Sequence, residues 1–352
     1  MSIDRAELQD AAAKAFGEAG IGADPARIWE LIADMGWLSM TVPEELGGLG
    51  LGRVAQGVIH TELGRVLAPG PVMAHMLVIE ALTAADGMAE RQALLEQAMA
   101  GALMTSSLVF ATAACTEGAD GALTLSGTLG AVPDADKASR LLLFSEDRTL
   151  CLLLPLDAAS VSIAQRATWD ESRRLFDVTL DATPADASMV LARGEAAVAL
   201  ADRLTANLLV ALAADSLGGA EAMLDITIEY LKTRRQFDRP LALFQALKHR
   251  CADMKTVLAA ADALFWLQAE EEAATSPEAT IGAGALKARA ARVYQFVTEE
   301  AIQLHGGIGL TEEHQCHLFM KRAMLNATLG GGADAWEEKA GRLLLGRLLE
   351  VA

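Results

Sequence analysis

Tyr230-Leu-Lys-Thr-Arg-Arg-Gln-Phe-Asp-Arg-Pro-Leu241, followed by Phe244-Gln-Ala-Leu-Lys-His-Arg-Cys-Ala-Asp-Met254, reads as a helix that ends in a cationic, aromatic loop and restarts as an amphipathic helix. Leu224, Ile228 and Leu231 recur at helical spacing before the loop, and Leu243, Leu247, Cys251, Met254 and Leu258 follow the i, i+4, i+8, i+11, i+15 pattern after it. Pro240 has no amide proton to continue the first helix. Arg234 offers a planar fork of donors that suits a phosphate, which lysine cannot match bidentately. A solvated helix end whose cations offset the helix dipole accounts for the same residues.

Working outward, the helical period holds from about 185 to the end, with room for a four-helix bundle of about 30 residues per helix. Upstream the pattern changes to short apolar or alternating runs: Leu123 to Leu125, Leu141 to Phe144, Leu150 to Leu154, Val161 and Ile163, then Phe176, Val178 and Leu180. Gly127, Gly130, Pro133, Asp134 and Asp157 punctuate them, which suits a small antiparallel sheet or barrel. The first 110 residues return to helices, interrupted by a glycine-rich turn from Thr41 to Gly52 with Pro43 ahead of it. That turn contains G-x-G but no strand feeds it, so no Rossmann unit is expected, and Glu44 and Glu45 read as turn or cap acceptors. The expected fold is mainly α with a small central β domain: an N-terminal helical domain over 1–110, a middle β domain over 111–185 and a C-terminal helical bundle over 186–352.

The chain of 352 residues is 52% hydrophobic, enough for buried cores, and its 29 basic against 47 acidic side chains give a net charge of −18. Such a surface repels phosphate backbones and anionic lipid, so neither nucleic acid nor a membrane is an expected partner. The apolar stretch Leu204 to Ala214 is bounded by Asp202, Arg203 and Asp215, short of a membrane span. Met1 to Gln9 lacks the features of a signal peptide, and Cys115, Cys151, Cys251 and Cys316 lie far apart, so reduced cytoplasmic thiols are expected.

A second segment of chemical interest, Gln303-Leu-His-Gly-Gly-Ile-Gly-Leu-Thr-Glu-Glu-His314, breaks a helix at glycines that let backbone approach a ligand closely, or that simply cap the helix. Glu312, Glu313, His314, Cys316 and His317 follow it; two histidines three apart can share a metal, but no second ligand pair is apparent, so no metal is expected. His249, between Lys248 and Arg250, suits either the phosphates of a ligand or a solvated helix face.

Taken together, these segments resemble the acyl-CoA dehydrogenase family over nearly the whole chain. Trp37-Leu-Ser-Met-Thr-Val-Pro-Glu-Glu-Leu-Gly-Gly-Leu-Gly50 and Glu62-Leu-Gly-Arg65 are similar to the family's early helix and turn. The resemblance implies a helical N-terminal domain, a β-barrel-like middle domain and a C-terminal four-helix bundle. It implies FAD shared across a subunit interface: Arg234 on the pyrophosphate, Gln236 and Phe237 flanking it, Gln245 on the adenosine side, and Gln303, Gly306 and Gly307 lining the rest. It further implies α,β-desaturation of an acyl-CoA substrate, with electrons passed to an electron-transfer flavoprotein.

The chain departs from the family where the reaction needs a carboxylate to take the α-proton. Most members place a glutamate after the segment written here as Lys321 to Leu329, and this chain has Gly330. The other family position falls at Leu208, with Asp202 and Asp215 the nearest acids, so the catalytic base is unassigned. Where members carry Thr-Glu-Pro and Gly-Ser-Asp stretches, this chain has Ala113-Ala-Cys-Thr-Glu-Gly118. An adenosine-binding half without a ring-binding half resembles the shorter subunit of heteromeric, steroid-type members, assembled as α2β2 with a larger subunit. The alternatives are a self-sufficient homo-oligomer with a non-standard base and a noncatalytic structural partner; sterol side chains are one expectation for the acyl group.

Overall fold

In the computed structural model, which describes residues 4–85, 88–119, 121–270 and 276–351, five helices come first: α1 (Arg5–Ala19), α2 (Pro25–Asp34), α3 (Gly52–Arg65), α4 (Val72–Ala84) and α5 (Arg91–Met99). The start of α2 is set by Asp24, whose carboxylate accepts from the Ala26 amide at 3.0 Å, with Pro25 in the first turn. Between α2 and α3 the glycine-rich segment forms short 3-10 turns, the second at Glu44–Leu46. Helices α3 and α4 are buried around most of their circumference.

Eight strands follow: β1 (Met104–Ser106), β2 (Ala114–Glu117), β3 (Leu123–Pro133), β4 (Arg140–Phe144), β5 (Leu150–Pro155), β6 (Val161–Arg166), β7 (Leu175–Ala185) and β8 (Val190–Arg193). They form two four-stranded sheets, ordered β1-β4-β5-β8 and β2-β3-β7-β6. Leu125, Leu129 and Val178 of one sheet share a core with Leu141, Leu143 and Leu152 of the other, so the sheets pack face to face. The expected antiparallel pattern holds except at β1 and β4, which pair in parallel, Met104 opposite Arg140. Strands β1, β2 and β8 are too short to leave a two-residue period in the sequence.

The remaining helices are α6 (Glu195–Thr233), α7 (Gln245–Glu270), α8 (Pro277–His305), α9 (Cys316–Thr328) and α10 (Ala333–Val351), with a two-stranded hairpin, β9 (Arg235–Gln236) and β10 (Arg239–Pro240), between α6 and α7. The fourth long helix expected of the bundle is instead the pair α9 and α10, broken at the turn beginning with Leu329 and Gly330. Leu243, first of the apolar series read as one helix, lies ahead of α7 in a 3-10 turn and is exposed. Helix α6 runs unbroken for 39 residues and is long and apolar enough by composition to cross a bilayer, unlike the shorter stretch read from sequence; 67% of its most apolar window is buried within the fold, which makes it the central core helix. Its crossing with α3 is backbone on backbone. A β-carbon at Gly64 would stand 2.2 Å from the Asp215 carbonyl oxygen, and one at Gly218 would stand 1.9 Å from that of Thr61.

Candidate functional site

Helix α6 delivers Arg234 to solvent at its C-terminal end, where the Arg234 amide still donates to the Tyr230 carbonyl at 2.9 Å while its own backbone has become extended. The β9–β10 hairpin turns through Phe237 and Asp238, both with left-handed φ, 53° and 62°. The Leu241 amide closes the loop onto the Arg234 carbonyl at 2.9 Å, and Arg235 Nη2 donates to the Asp238 carbonyl at 2.7 Å. Phe237 is 85% exposed, its ring edge-on to Phe244 at 6.1 Å, and the Arg239 guanidinium lies 4.0 Å over the Phe244 ring. Among the described residues Arg234 has no hydrogen bond or ion pair through its side chain, so its donors are free for an anion. Gln236 and Gln245, the latter opening α7, are exposed beside it.

Gln303, Gly306 and Gly307 are likewise exposed, at the end of α8 and the start of a 3-10 turn, Gly306–Leu310. Gly306 has φ 65°, and a β-carbon on either glycine would meet nothing within 4 Å. Tyr230 ties the two segments together: its hydroxyl donates to the His305 carbonyl at 3.3 Å and its ring stacks on the His305 imidazole at 4.4 Å. The fold therefore brings the ends of α6 and α8, with the seven residues expected on FAD, to one end of the bundle. At that end the exposed Arg234 guanidinium is the group whose donors suit a phosphate.

The two positions at which the resemblance would place a catalytic carboxylate hold Gly330 and Leu208. Gly330 has φ 66°; its amide donates to the Leu108 carbonyl at 2.8 Å and its carbonyl accepts from Trp336 Nε1 at 2.8 Å. A β-carbon there would lie 2.9 Å from Leu212 Cδ1 and 3.1 Å from Leu209 Cδ2. Lys287 clamps the same turn, donating to the Gly331 carbonyl at 2.7 Å and the Ala327 carbonyl at 3.0 Å, and burial pushes its ammonium down to about 8. Leu208 is itself buried in the helical core. Gly330→Glu is thus expected to destabilise the chain by about 1–3 kcal/mol through overpacking at a left-handed position, without creating a base. Urea unfolding of the variant checks this, and unchanged stability would show that the turn can open.

Of the two neighbouring acids, Asp215 is not available as a base. It accepts from Arg173 Nη2 at 2.8 Å, Arg322 Nη1 at 3.1 Å and Asn326 Nδ2 at 2.7 Å, all buried. Arg322 also donates from Nε to Asp170 at 2.6 Å and from Nη2 to the Ala68 carbonyl at 3.1 Å. Burial alone would raise the Asp215 carboxyl, but Arg173 and Arg322 outweigh it and hold it below the usual range; Asp170 is lowered against the same burial by Arg322, Ser172 and Arg173. Two arginines against two aspartates make a neutral buried cluster joining the loop before β7 to α6 and α9. The sequence reading missed Arg173 and Arg322, whose burial leaves no periodic signal.

Asp202 stands in a different setting. It lines a cavity of about 410 Å³ walled by Leu77, Phe110, Leu142, Phe144, Leu204 and Trp336, and it is paired with Arg148 at 2.6 Å. Ser106, Ser107 and Thr112 reach this cavity, whereas Thr116 and Glu117 lie exposed on β2, with Glu117 paired to Arg193 at 3.3 Å. The 248–250 trio divides: Lys248 and His249 are exposed, while Arg250 is tied to Glu300 at 2.5 Å.

Comparison with known proteins gives matches at both ends of the chain. The family model described as acyl-CoA dehydrogenase, N-terminal domain, matches residues 5–102, and that of the acyl-CoA dehydrogenase C-terminal domain matches residues 206–339. The chain is 33% identical over 311 residues to acyl-CoA dehydrogenase IpdE2 of Mycobacterium tuberculosis, covering 86% of this chain and 81% of that protein. Among solved structures it superposes on the "Tcur3481-Tcur3483 steroid ACAD G363A variant" with a TM-score of 0.84 and 29% identity, covering 98% of each chain. The ChsE4-ChsE5 complex from Mycobacterium tuberculosis gives a TM-score of 0.84 with 98% of each chain covered; at 24% identity this likeness shows the fold alone.

Proposed function

The chain belongs to the acyl-CoA dehydrogenase family of oxidoreductases, and on that premise we propose that it is the shorter subunit of a heteromeric acyl-CoA dehydrogenase, lending half of an FAD site to a larger catalytic partner. One contrast carries this reading: Arg234 is exposed and, among the described residues, unpaired, while Gly330 offers no carboxylate and a β-carbon there would press on the methyl ends of Leu212 and Leu209. FAD, when bound, supplies the hydride acceptor for α,β-desaturation of an acyl thioester, and an electron-transfer flavoprotein then takes the electrons. This chain's own task is binding and orientation: Arg234 on pyrophosphate, Gln236, Phe237 and Gln245 beside it, and Gln303, Gly306 and Gly307 along the remaining edge. A relative at 29% identity is described as a steroid ACAD, which supports a bulky steroid-type acyl-CoA as the substrate of the assembly.

The visible spectrum tests the assignment. The chain purified alone is expected to be colourless, and the flavin band is expected to appear when it is purified with a full-length partner. A yellow chain that bleaches with acyl-CoA by itself would overturn the half-site reading. One observation favours that second reading, a self-sufficient homo-oligomer: Asp202 lies in the cavity wall. It sits about 9 Å along α6 from Leu208, so a base there would act from a different place in the pocket, and Asp202→Asn would then abolish turnover by the isolated chain.

A further inference from the structure

His305, His314 and Cys316 converge, although the sequence grouped the last two with Glu312, Glu313 and His317 and left His305 out. One ligand atom from each lies within 4.8 Å of the others, and the two imidazole centroids are 4.3 Å apart. His305 Nδ1 lies 2.7 Å from the Ala301 carbonyl one helical turn back, so that nitrogen carries the proton and Nε2 carries the lone pair. His305 is 4% exposed, and Nε2 is buried with no hydrogen-bond partner. A buried acceptor left empty costs about 1–3 kcal/mol unless something occupies it. His314 Nδ1 accepts from the Cys316 amide at 3.3 Å and lies 3.1 Å from Cys316 Sγ, which turns a second lone pair and the thiol toward each other.

We propose that His305, His314 and Cys316 form a three-ligand site for a borderline-soft divalent metal ion, best matched by zinc, with a fourth position open to water. Two imidazoles and one thiol are the donor set of such ions, whereas calcium and magnesium take oxygen ligands. Tetrahedral zinc holds its nitrogen and sulfur ligands roughly 3.3–3.6 Å apart, within reach of small side-chain rotations from the present spacing. The surroundings of His305 are those of a ligating histidine: a backbone carbonyl fixes the tautomer through Nδ1, and the Tyr230 ring stacked at 4.4 Å fixes the plane. Burial lowers both imidazoles from their ordinary value, which favours the neutral form a metal requires; the His314 Nδ1 lone pair now faces the Cys316 amide and thiol. Burial pushes the Cys316 thiol up to about 12; on binding, the S–H bond breaks, a sulfur–metal bond forms and the proton leaves to water. The ion would pin the start of α9 to the end of α8, and with it the turn carrying Gly306 and Gly307. None of this rests on the cofactor reading.

The test uses the full chain after dialysis against chelator, titrated with cobalt(II) chloride and then zinc chloride. One equivalent of cobalt is expected to give a thiolate-to-metal charge-transfer band that zinc displaces, and zinc is expected to raise the melting temperature. Cys316→Ser and His314→Ala should each lose the band and the zinc-dependent stabilisation. His314 is only partly buried, so His314→Ala carries the test if Cys316→Ser folds poorly. Absence of a charge-transfer band in the wild-type chain, or a band that persists in His314→Ala, would overturn the proposal.

Discussion

Arg322→Met is expected to lower the stability of the chain by about 3–5 kcal/mol, the scale on which one partner is removed from a buried ionic cluster. The side chain is fully buried, and its fork is shared among Asp170, Asp215, Ser172 and the carbonyls of Leu67 and Ala68. Removing it leaves two buried carboxylates facing the single remaining guanidinium of Arg173. Methionine fills most of the volume, so the loss reports charge rather than a cavity. Urea unfolding at neutral pH measures the effect; a change below 1 kcal/mol would mean that the cluster relaxes into solvent.

The same variant carries a signature in pH. In the wild type both Asp170 and Asp215 have folded values below their unfolded ones, so their contribution is complete above the unfolded value of about 3.9 and is lost as pH falls through the folded value. In Arg322→Met one carboxylate is left buried and unpaired, which raises its folded value above the unfolded one. The variant therefore recovers stability as acid protonates that group, and the gap between the two proteins should narrow below neutral pH. A gap that is constant with pH would point to lost packing instead.

Arg234→Ala is expected to leave the fold unchanged and to weaken flavin retention by the assembled enzyme roughly ten- to a hundredfold, as befits a charge-assisted contact of about 1.5–3 kcal/mol. The residue is exposed and unpaired among the described residues, so no neighbour depends on it. Arg234→Lys should fall between alanine and wild type, because an ammonium keeps the charge and loses the fork. Equilibrium dialysis of the complex against FAD, with circular dichroism as the control on folding, decides the matter. Unchanged flavin affinity in Arg234→Ala would remove this end of the bundle from the cofactor site.

Much of the architecture is legible along the chain because local backbone geometry writes its period into side-chain order. The alternation at Leu123–Leu125, Val161–Ile163 and Phe176–Leu180 falls on β3, β6 and β7, and the series through Met254 and Leu258 falls on the buried face of α7. The loop at Arg234 to Pro240 is marked by its own composition, but its two-stranded pairing is not. The short strands β1, β2 and β8 were not legible, since three or four residues hold too few periods to count. The parallel pairing of β1 with β4 leaves no trace in either segment alone.

By itself, the sequence determined the order of helices, strands and helices and the family. Tertiary structure alone decided what the remaining groups do. Asp215 and Arg322 stand 107 residues apart, and only their meeting in the core makes the aspartate an ion-pair partner rather than a free base. Gly330 could be read as the place of the base, but that a β-carbon there would press on Leu209 and Leu212 follows from how α6 packs beneath the turn. His305 joins His314 and Cys316 because α8 ends where α9 begins to pack. Periodicity records the geometry of one element at a time; charge compensation, steric closure and ligand convergence are relations between elements, and they exist only once the chain has brought those elements together.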